Sequence, residues 1–452
     1  MGLMGLGYRR PEFVDKDQFR RTQSSLDEND SLRSGRSNAS AGIPSALTFD
    51  KIITGGTCPP CTVRDFMNYL IYIERSAENL QFFLWYRDYV KRFKEADTSD
   101  INLAPEWTQA MEEDTVTRLQ KEQADKMRRE PAGAEIFKGT DFEKRPGPTV
   151  HETKDPFSTP PRTPGEQDSQ YTGSNAFSYR SQANDAFSAA GAKVPFTIQP
   201  FRAEIDRVIA TYIMDEAPRQ LNLSSREQKA TLQALAYTTH PSAFRIVAKS
   251  IESTLRQQAH PNFIRWSICN GNPARVFFAR GLGVSLILIS TVVAIVLTLS
   301  RARRGYAALA AIGWVLGIST LVAAWKGMCV VLHGMHHRHV RPWELFVDPE
   351  EQLDSLSATE SGSGSGPGRG RKTTKDSFDS FGSANSYEEE PWVVKYQRRN
   401  VIRKIFDREV WIQEPALRQI QDTIFVQSML CALLAAGALT ALFVAVPRGH
   451  FF

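Results

Sequence analysis

Three long apolar blocks interrupt a chain that is otherwise polar. The first, Gly281 to Ser300, is twenty residues without a charge, closed by Arg280 before it and by Arg301-Ala302-Arg303-Arg304 after it. At about 1.5 Å of rise per residue such a helix reaches roughly 30 Å, the hydrocarbon thickness of a bilayer. A soluble helix is rarely apolar on every face over that length. The second block, 305–325, is richer in Ala and Gly, which predicts close packing on a neighbouring span. Trp325 then sits at the interface and Lys326 can snorkel. The third, 424–446, carries Ala435-Ala436-Gly437-Ala438 and is followed by Pro447-Arg448. The pattern predicts transmembrane helices at 281–300, 305–325 and 424–446.

Elsewhere the periodicity is that of short amphipathic helices. Residues 1–46 are rich in Ser, Arg, Asp and Asn and read as a disordered tail. From Leu47 the spacing turns helical: Phe66, Tyr69, Leu70 and Ile73 share one face, and Leu80, Phe83, Leu84 and Arg87 begin the next. Residues 97–195 break the pattern. A charged helix is expected over 106–130, whereas 139–193 is too rich in Pro, Ser, Thr and Gly to offset chain entropy. Helical stripes return from 200 to 267, with Phe201, Ile205, Val208 and Ile209 on one and Phe244, Val247, Ile251 and Leu255 on another. Each half alone is thin, so the expectation is one helical domain over 47–267 with an insertion at about 97–195, largely disordered. Residues 326–350 form a His-rich juxtamembrane segment, 351–390 a disordered linker, and 391–423 amphipathic or juxtamembrane helices.

Composition narrows the function classes. The 452 residues carry a net charge of +5, with a pI near 8.9 and a mean hydropathy of -0.33. That is mildly basic, and no Lys/Arg stripe alternates with stacking aromatics, so a lipid surface is expected and nucleic acid is not. Five cysteines do not make a disulfide framework and suit a reducing compartment. No cleaved signal peptide is read at the N-terminus, and Leu6 stands where a myristoylation motif wants Ser or Thr. Lys and Arg before the first span and between the second and third predict a cytoplasmic N-terminus and loop. The arginines at 301–304 run against that rule.

At Ser76-Ala77-Glu78-Asn79-Leu80-Gln81-Phe82-Phe83-Leu84-Trp85 the chain resembles the RGS domain, the regulator-of-G-protein-signalling bundle. Ala217-Pro218-Arg219-Gln220-Leu221-Asn222-Leu223-Ser224 is similar to the family's loop before its sixth helix. His260-Pro261-Asn262-Phe263-Ile264-Arg265 is similar to its closing aromatic segment. The resemblance covers 47–95 and 196–267. It implies an all-α fold, an RGS-like bundle interrupted by the insertion and followed by about three transmembrane helices. It also implies a G-protein α subunit as partner, faced by Glu78, Asn79 and Asn222. Helix capping accounts equally well for Glu78, and a turn for Asn222. RGS domains have no catalytic residue of their own; they hold the Gα switch loops in the transition-state geometry. Where the family places an acidic and a basic residue before its closing Phe, this chain has Gln258 and Asn262, which favours a binding module over an efficient activator.

The split two-plus-one span pattern, with Trp392-Val393-Val394-Lys395-Tyr396-Gln397-Arg398-Arg399-Asn400 and Ile420-Gln421-Asp422-Thr423-Ile424-Phe425, resembles the fungal Rax-type bud-site-selection membrane proteins. That resemblance implies a polarity landmark in the plasma membrane at the cell cortex, partnered with a larger membrane protein. The alternative is an active GTPase-activating protein that attenuates G-protein signalling. Neither reading makes the chain an enzyme with its own cofactor, and no catalytic residue, metal or cofactor is expected. His333-Gly334-Met335-His336-His337-Arg338-His339 has an HxxHH spacing of the sort that binds di-iron centres in membrane oxidases. The remaining histidines are too scattered for one, so an interfacial basic cluster is expected. Cys58-Pro59-Pro60-Cys61 lacks a second Cys pair for zinc and reads as a loop before a helix.

Overall fold

The structure is a computed structural model and describes residues 8–17, 19, 42–129, 172–195, 198–301, 303–346 and 391–447. The expected linker at 351–390 lies outside these residues, as does 130–171 of the expected insertion.

The chain is mostly helical. In order, the soluble helices are α1 (Phe49–Ile53), α2 (Val63–Tyr69), α3 (Ala77–Glu95), α4 (Thr98–Asn102), α5 (Gln109–Arg129) and α6 (Thr172–Ala189). They continue with α7 (Arg202–Val208), α8 (Ser225–Tyr237), α9 (Arg245–Thr254) and α10 (His260–Ile268). Beyond them come α11 (Pro273–Leu299), α12 (Ala310–Trp325), α13 (Val330–Gly334), β1 (His337–His339), α14 (Pro391–Gln397), α15 (Val401–Ile405), β2 (Glu409–Trp411) and α16 (Pro415–Ala445). The all-α expectation is thus corrected by one short antiparallel ladder, in which His337 pairs with Trp411 and His339 with Glu409. The helices expected over 391–423 begin as two short ones, α14 and α15. Asn400 accepts a hydrogen bond from the Ile402 amide and starts a second helix there, as a capping Asn does.

Local chemistry accounts for the boundaries. Thr62 and Asp65 form a reciprocal capping box at the start of α2, and Ser224 and Glu227 form another at α8, each satisfying two otherwise orphaned amides. A π turn over Leu70–Glu74 ends α2. It shifts the helical phase, so Phe66, Tyr69 and Leu70 are buried while Ile73, predicted on the same face, is exposed. In α3 the expected Leu80 and Phe83 are buried, but the buried line runs on through Phe82, Trp85, Tyr89 and Phe93 rather than Leu84 and Arg87.

The chain forms two compact units. The second, Gln81–Ile251, is built on aromatic packing. Trp85 stacks on Tyr89 with centroids 5.1 Å apart, and Phe244 meets Trp85 edge-on at 5.4 Å. Glu204 accepts from Trp85 Nε1 at 2.7 Å and takes Arg92 with both oxygens, at 2.6 and 2.9 Å.

The first unit joins residues up to Leu80 with those from Glu252 onward. Its soluble core sets α1 and α2 against α10. Phe66 and Phe263 lie 4.9 Å apart, and Tyr69 packs on Phe263 and Trp266 at 5.5 and 5.2 Å. The same unit holds three helices long and apolar enough to cross a membrane, Pro273–Leu299, Gly305–Trp325 and Pro415–Ala445. The first and third begin eight or nine residues earlier than hydropathy alone predicts (281 and 424), because Asn272 with Pro273, and Glu414 with Pro415, supply start signals in the polar flank.

The spans pack through small residues. A Cβ on Gly317 would lie 2.9 Å from the Gly283 carbonyl oxygen and 2.8 Å from Ile287 Cγ1, so α11 and α12 cross almost backbone to backbone. Ala294, Ala310, Trp314 and Ala436 form a buried cluster joining all three spans. Trp314 donates to Thr291 Oγ1 at 3.1 Å and stacks on Phe443. Leu288, Ile289, Val292 and Leu434 point outward, the arrangement suited to lipid contact. The chain leaves α12 through Gly327, whose φ of +81° and closeness to Cys269 Sγ admit no side chain.

Candidate functional site

Glu78 and Asn79 occupy the first turn of α3, both half-buried, and belong to the first unit. Asn222 is exposed in the segment before the Ser224 cap and belongs to the second unit.

Gln258 and Asn262, which stand where the resemblance expects charged residues, are both buried and engaged within the chain. Gln258 Nε2 donates to Glu74 Oε1 at 2.7 Å. Burial raises the Glu74 carboxyl above its ordinary value, an effect that the Gln258 bond partly opposes. Asn262 pairs with the backbone of Val14 through both amide atoms: its Oδ1 accepts from Val14 N at 2.9 Å and its Nδ2 donates to Val14 O at 2.8 Å.

That pairing belongs to a strap that corrects the expectation for the N-terminal tail. Residues 8–17, expected to be disordered, are described and extend along α10. Arg265 donates to Pro11 O at 2.7 Å, and Lys16 donates to Glu74 O at 2.6 Å. Arg10 donates to Lys326 O at 2.8 Å and to Arg265 O at 2.6 Å. Gln427, in α16, donates to Tyr8 O at 3.0 Å. An irregular segment held through carbonyls and guanidinium groups leaves no periodicity to read, which is why the sequence pattern conceals it.

Below the strap, the soluble core meets the membrane helices through a collar of aromatics and buried charge. Tyr72 stacks on Trp343 at 4.7 Å, and Trp343 stacks on Trp266 at 6.0 Å. The Arg341 guanidinium lies 3.6 Å over the Trp266 ring. Its burial, with Arg338 beside it, pulls its pKa down to about 10, which leaves it charged at neutral pH. Burial would raise the Glu344 carboxyl, but the Arg338 guanidinium, bound bidentately at 2.9 and 3.0 Å, holds it below its usual value. The Cys58–Cys61 loop joins the same collar. Cys58 N donates to Glu414 Oε2 at 2.7 Å, and the Gln413 and Glu414 amides donate to Pro59 O. Both cysteines are free thiols, Cys58 exposed and Cys61 buried. The tryptophans flanking the apolar blocks were the available signal for this collar, and hydropathy alone passes over them.

The histidine segment divides in two. His339 is scaffold: its Nε2 lies 3.1 Å from Asn272 Nδ2 and its Nδ1 lies 2.8 Å from Val340 O. His333 and His336 instead converge with Asp422 of α16, their candidate ligand atoms all within 4.8 Å of one another. The expectation named the histidines but not the carboxylate. Asp422 lies in the polar turns that precede the third apolar block, so spacing around HxxHH could not have found it.

The helical collar and the three spans therefore constitute the part of the molecule with the most developed chemistry. Comparisons of the chain with family models, with curated proteins and with solved structures return no match.

Proposed function

We propose that this protein is a membrane-anchored, non-enzymatic scaffold with an RGS-like module on its cytoplasmic side, serving as a landmark for polarised growth or bud-site selection at the cell cortex. One observation carries the non-enzymatic reading. Gln258 and Asn262, which the RGS resemblance aligns with switch-clamping charges, are neutral, buried and bonded to Glu74 and Val14 within the chain. A GTPase activator works by holding the partner's switch loops in the transition-state geometry, and two side chains turned inward do no such holding. The packing of α1 and α2 on α10, across the intervening insertion, supports the RGS-like part of the reading. The excess of Lys and Arg before the first span and in the long loop supports cytoplasmic placement. The two-plus-one spacing of the spans supports the landmark part, with a larger membrane protein and a Gα subunit as partners.

The test uses the full chain in lipid nanodiscs with a panel of Gα subunits. The expected outcome is retention of a Gα on the immobilised protein with an unchanged single-turnover rate of GTP hydrolysis at saturation. An acceleration of about tenfold or more overturns the scaffold reading in favour of an active GTPase-activating protein. Loss of retention for every Gα removes the G-protein part.

A further inference from the structure

We propose that His333, His336 and Asp422 bind one divalent transition-metal ion, Zn2+ by their donor set, and that the ion fastens the segment leaving the second span to the helix of the third. The three ligand atoms lie within 4.8 Å of one another and come from separate parts of the fold: α13, the turn after it, and α16. A tetrahedral zinc site with bonds of about 2.0–2.2 Å spaces its ligand atoms by about 3.4 Å. His333 Nε2 and Asp422 Oδ1 are already 3.6 Å apart, and closing the set around an ion needs movement of about an ångström.

The unbonded state of the imidazoles is the independent observation. His333 is 6% exposed, its Nδ1 has no hydrogen-bond partner, and the 3.6 Å from Nε2 to Asp422 exceeds hydrogen-bond length. His336 Nδ1 is likewise buried and unpartnered. Buried polar atoms of this kind are uncommon in folded proteins and call for a partner; a metal takes one nitrogen from each ring, which engages His333 through the Nε2 that faces Asp422. A simple His333–Asp422 ion pair would leave the convergence of His336 on the same point unexplained.

The backbone holds the set in position. His336 adopts a left-handed φ of 55°, a conformation costly for a residue with a side chain. Its carbonyl accepts from Ile412 N at 3.0 Å and its amide donates to His333 O at 2.8 Å. Phe425, one turn beyond Asp422 on α16, packs on the His333 ring at 5.0 Å. Two imidazoles and one carboxylate are a borderline-soft, partly anionic donor set that favours Zn2+ over Mg2+ or Ca2+. Asp422 is 41% exposed on its side chain, so an ion reaches the site from solution, and the fourth position is left to water or to a partner's side chain.

The full chain, purified in detergent and stripped with a chelator, is titrated with Zn2+ against a chromogenic competitor and separately with Co2+. The expected result is one tightly bound Zn2+ per chain, tetrahedral ligand-field bands with Co2+, and a Zn2+-dependent rise in melting temperature. Asp422→Asn and His336→Gln each weaken binding by at least about tenfold and abolish both signatures, while Cys58→Ser changes nothing. Absence of stoichiometric Zn2+ on the unsubstituted chain overturns the site whatever the variants do. Equal affinity in the unsubstituted chain and both variants also overturns it, and loss on Cys58→Ser moves the metal to the cysteine loop.

Discussion

At the scale of single residues, the first unit is held by polar side chains removed from water. His260 is the clearest case with a pH consequence. Its Nε2 donates to Leu47 O at 2.8 Å and its ring meets Phe49 edge-on at 6.0 Å. Burial drives its pKa down to about 4, although the Leu47 bond works in the opposite direction. An imidazole that stays neutral when folded and binds a proton readily when unfolded stabilises the fold fully above about pH 6.5. That contribution fades as pH falls toward about 4, and over the whole interval is worth about 3 kcal/mol. Glu74, with a raised folded pKa, acts with the opposite sign as pH falls, so comparison with a variant isolates the histidine. The melting temperature of the full chain should drop more between pH 7 and pH 5 than that of His260→Gln. Equal slopes would remove His260 as the cause.

At the scale of elements, the crossing of α11 and α12 is the most constrained contact. Gly317 faces the Gly283 backbone, and backbone cannot give way as a flexible side chain can. Gly317→Ala is therefore expected to cost about 1–3 kcal/mol by overpacking. Gly437 in α16 has open space around a would-be Cβ, and Gly437→Ala should leave stability unchanged or raise it. Thermal unfolding of both variants in one detergent checks the pair, and equal melting temperatures would count against the close crossing. These spans were readable from the chain because length and uniform apolarity need no knowledge of a partner. The elements that escaped reading depend on a partner or on a local phase change. Thr172–Ala189 is a helix of Ala, Ser and Asn with little apolar stripe. Leu70–Glu74 and Leu255–Ala259 are π turns that displace the period. Of the site chemistry, Glu78, Asn79, Asn222 and the histidines were visible as residue types. The roles of Gln258 and Asn262 as internal anchors, and the arrival of Asp422 beside His333, follow from tertiary contacts that no spacing records.

At the scale of the whole molecule, three apolar helices in one unit with the collar make the membrane part of the fold rather than an appendage to it. Alkaline carbonate washing of membranes containing the full chain should leave it in the pellet, as expected of helices inserted across hydrocarbon. Release into the supernatant would contradict the spans. Arg341 over Trp266 ties residues after the second span to the soluble core, and Arg338 with Glu344 braces the segment that carries Arg341. Breaking such a buried pair from one side costs about 3–5 kcal/mol. Arg338→Ala is accordingly expected to lower the melting temperature of the full chain, and an unchanged value would show the pair to be dispensable.

The strap sets an order of events during synthesis. Tyr8 is bonded to Gln427 across 419 positions of sequence, Cys58 to Glu414 across 356, and Arg10 to Lys326 across 316. Contacts so remote in sequence form only after a large entropic cost of loop closure has been met. Tyr8 and Cys58 must therefore wait for their partners until the third span has been made. The strap's bonds to Asn262, Arg265 and Lys326 need only residues made earlier, so its middle can be pinned while its Tyr8 end is still open. Completion of the last apolar helix thus supplies the final bonds of the strap and of the Cys58 loop.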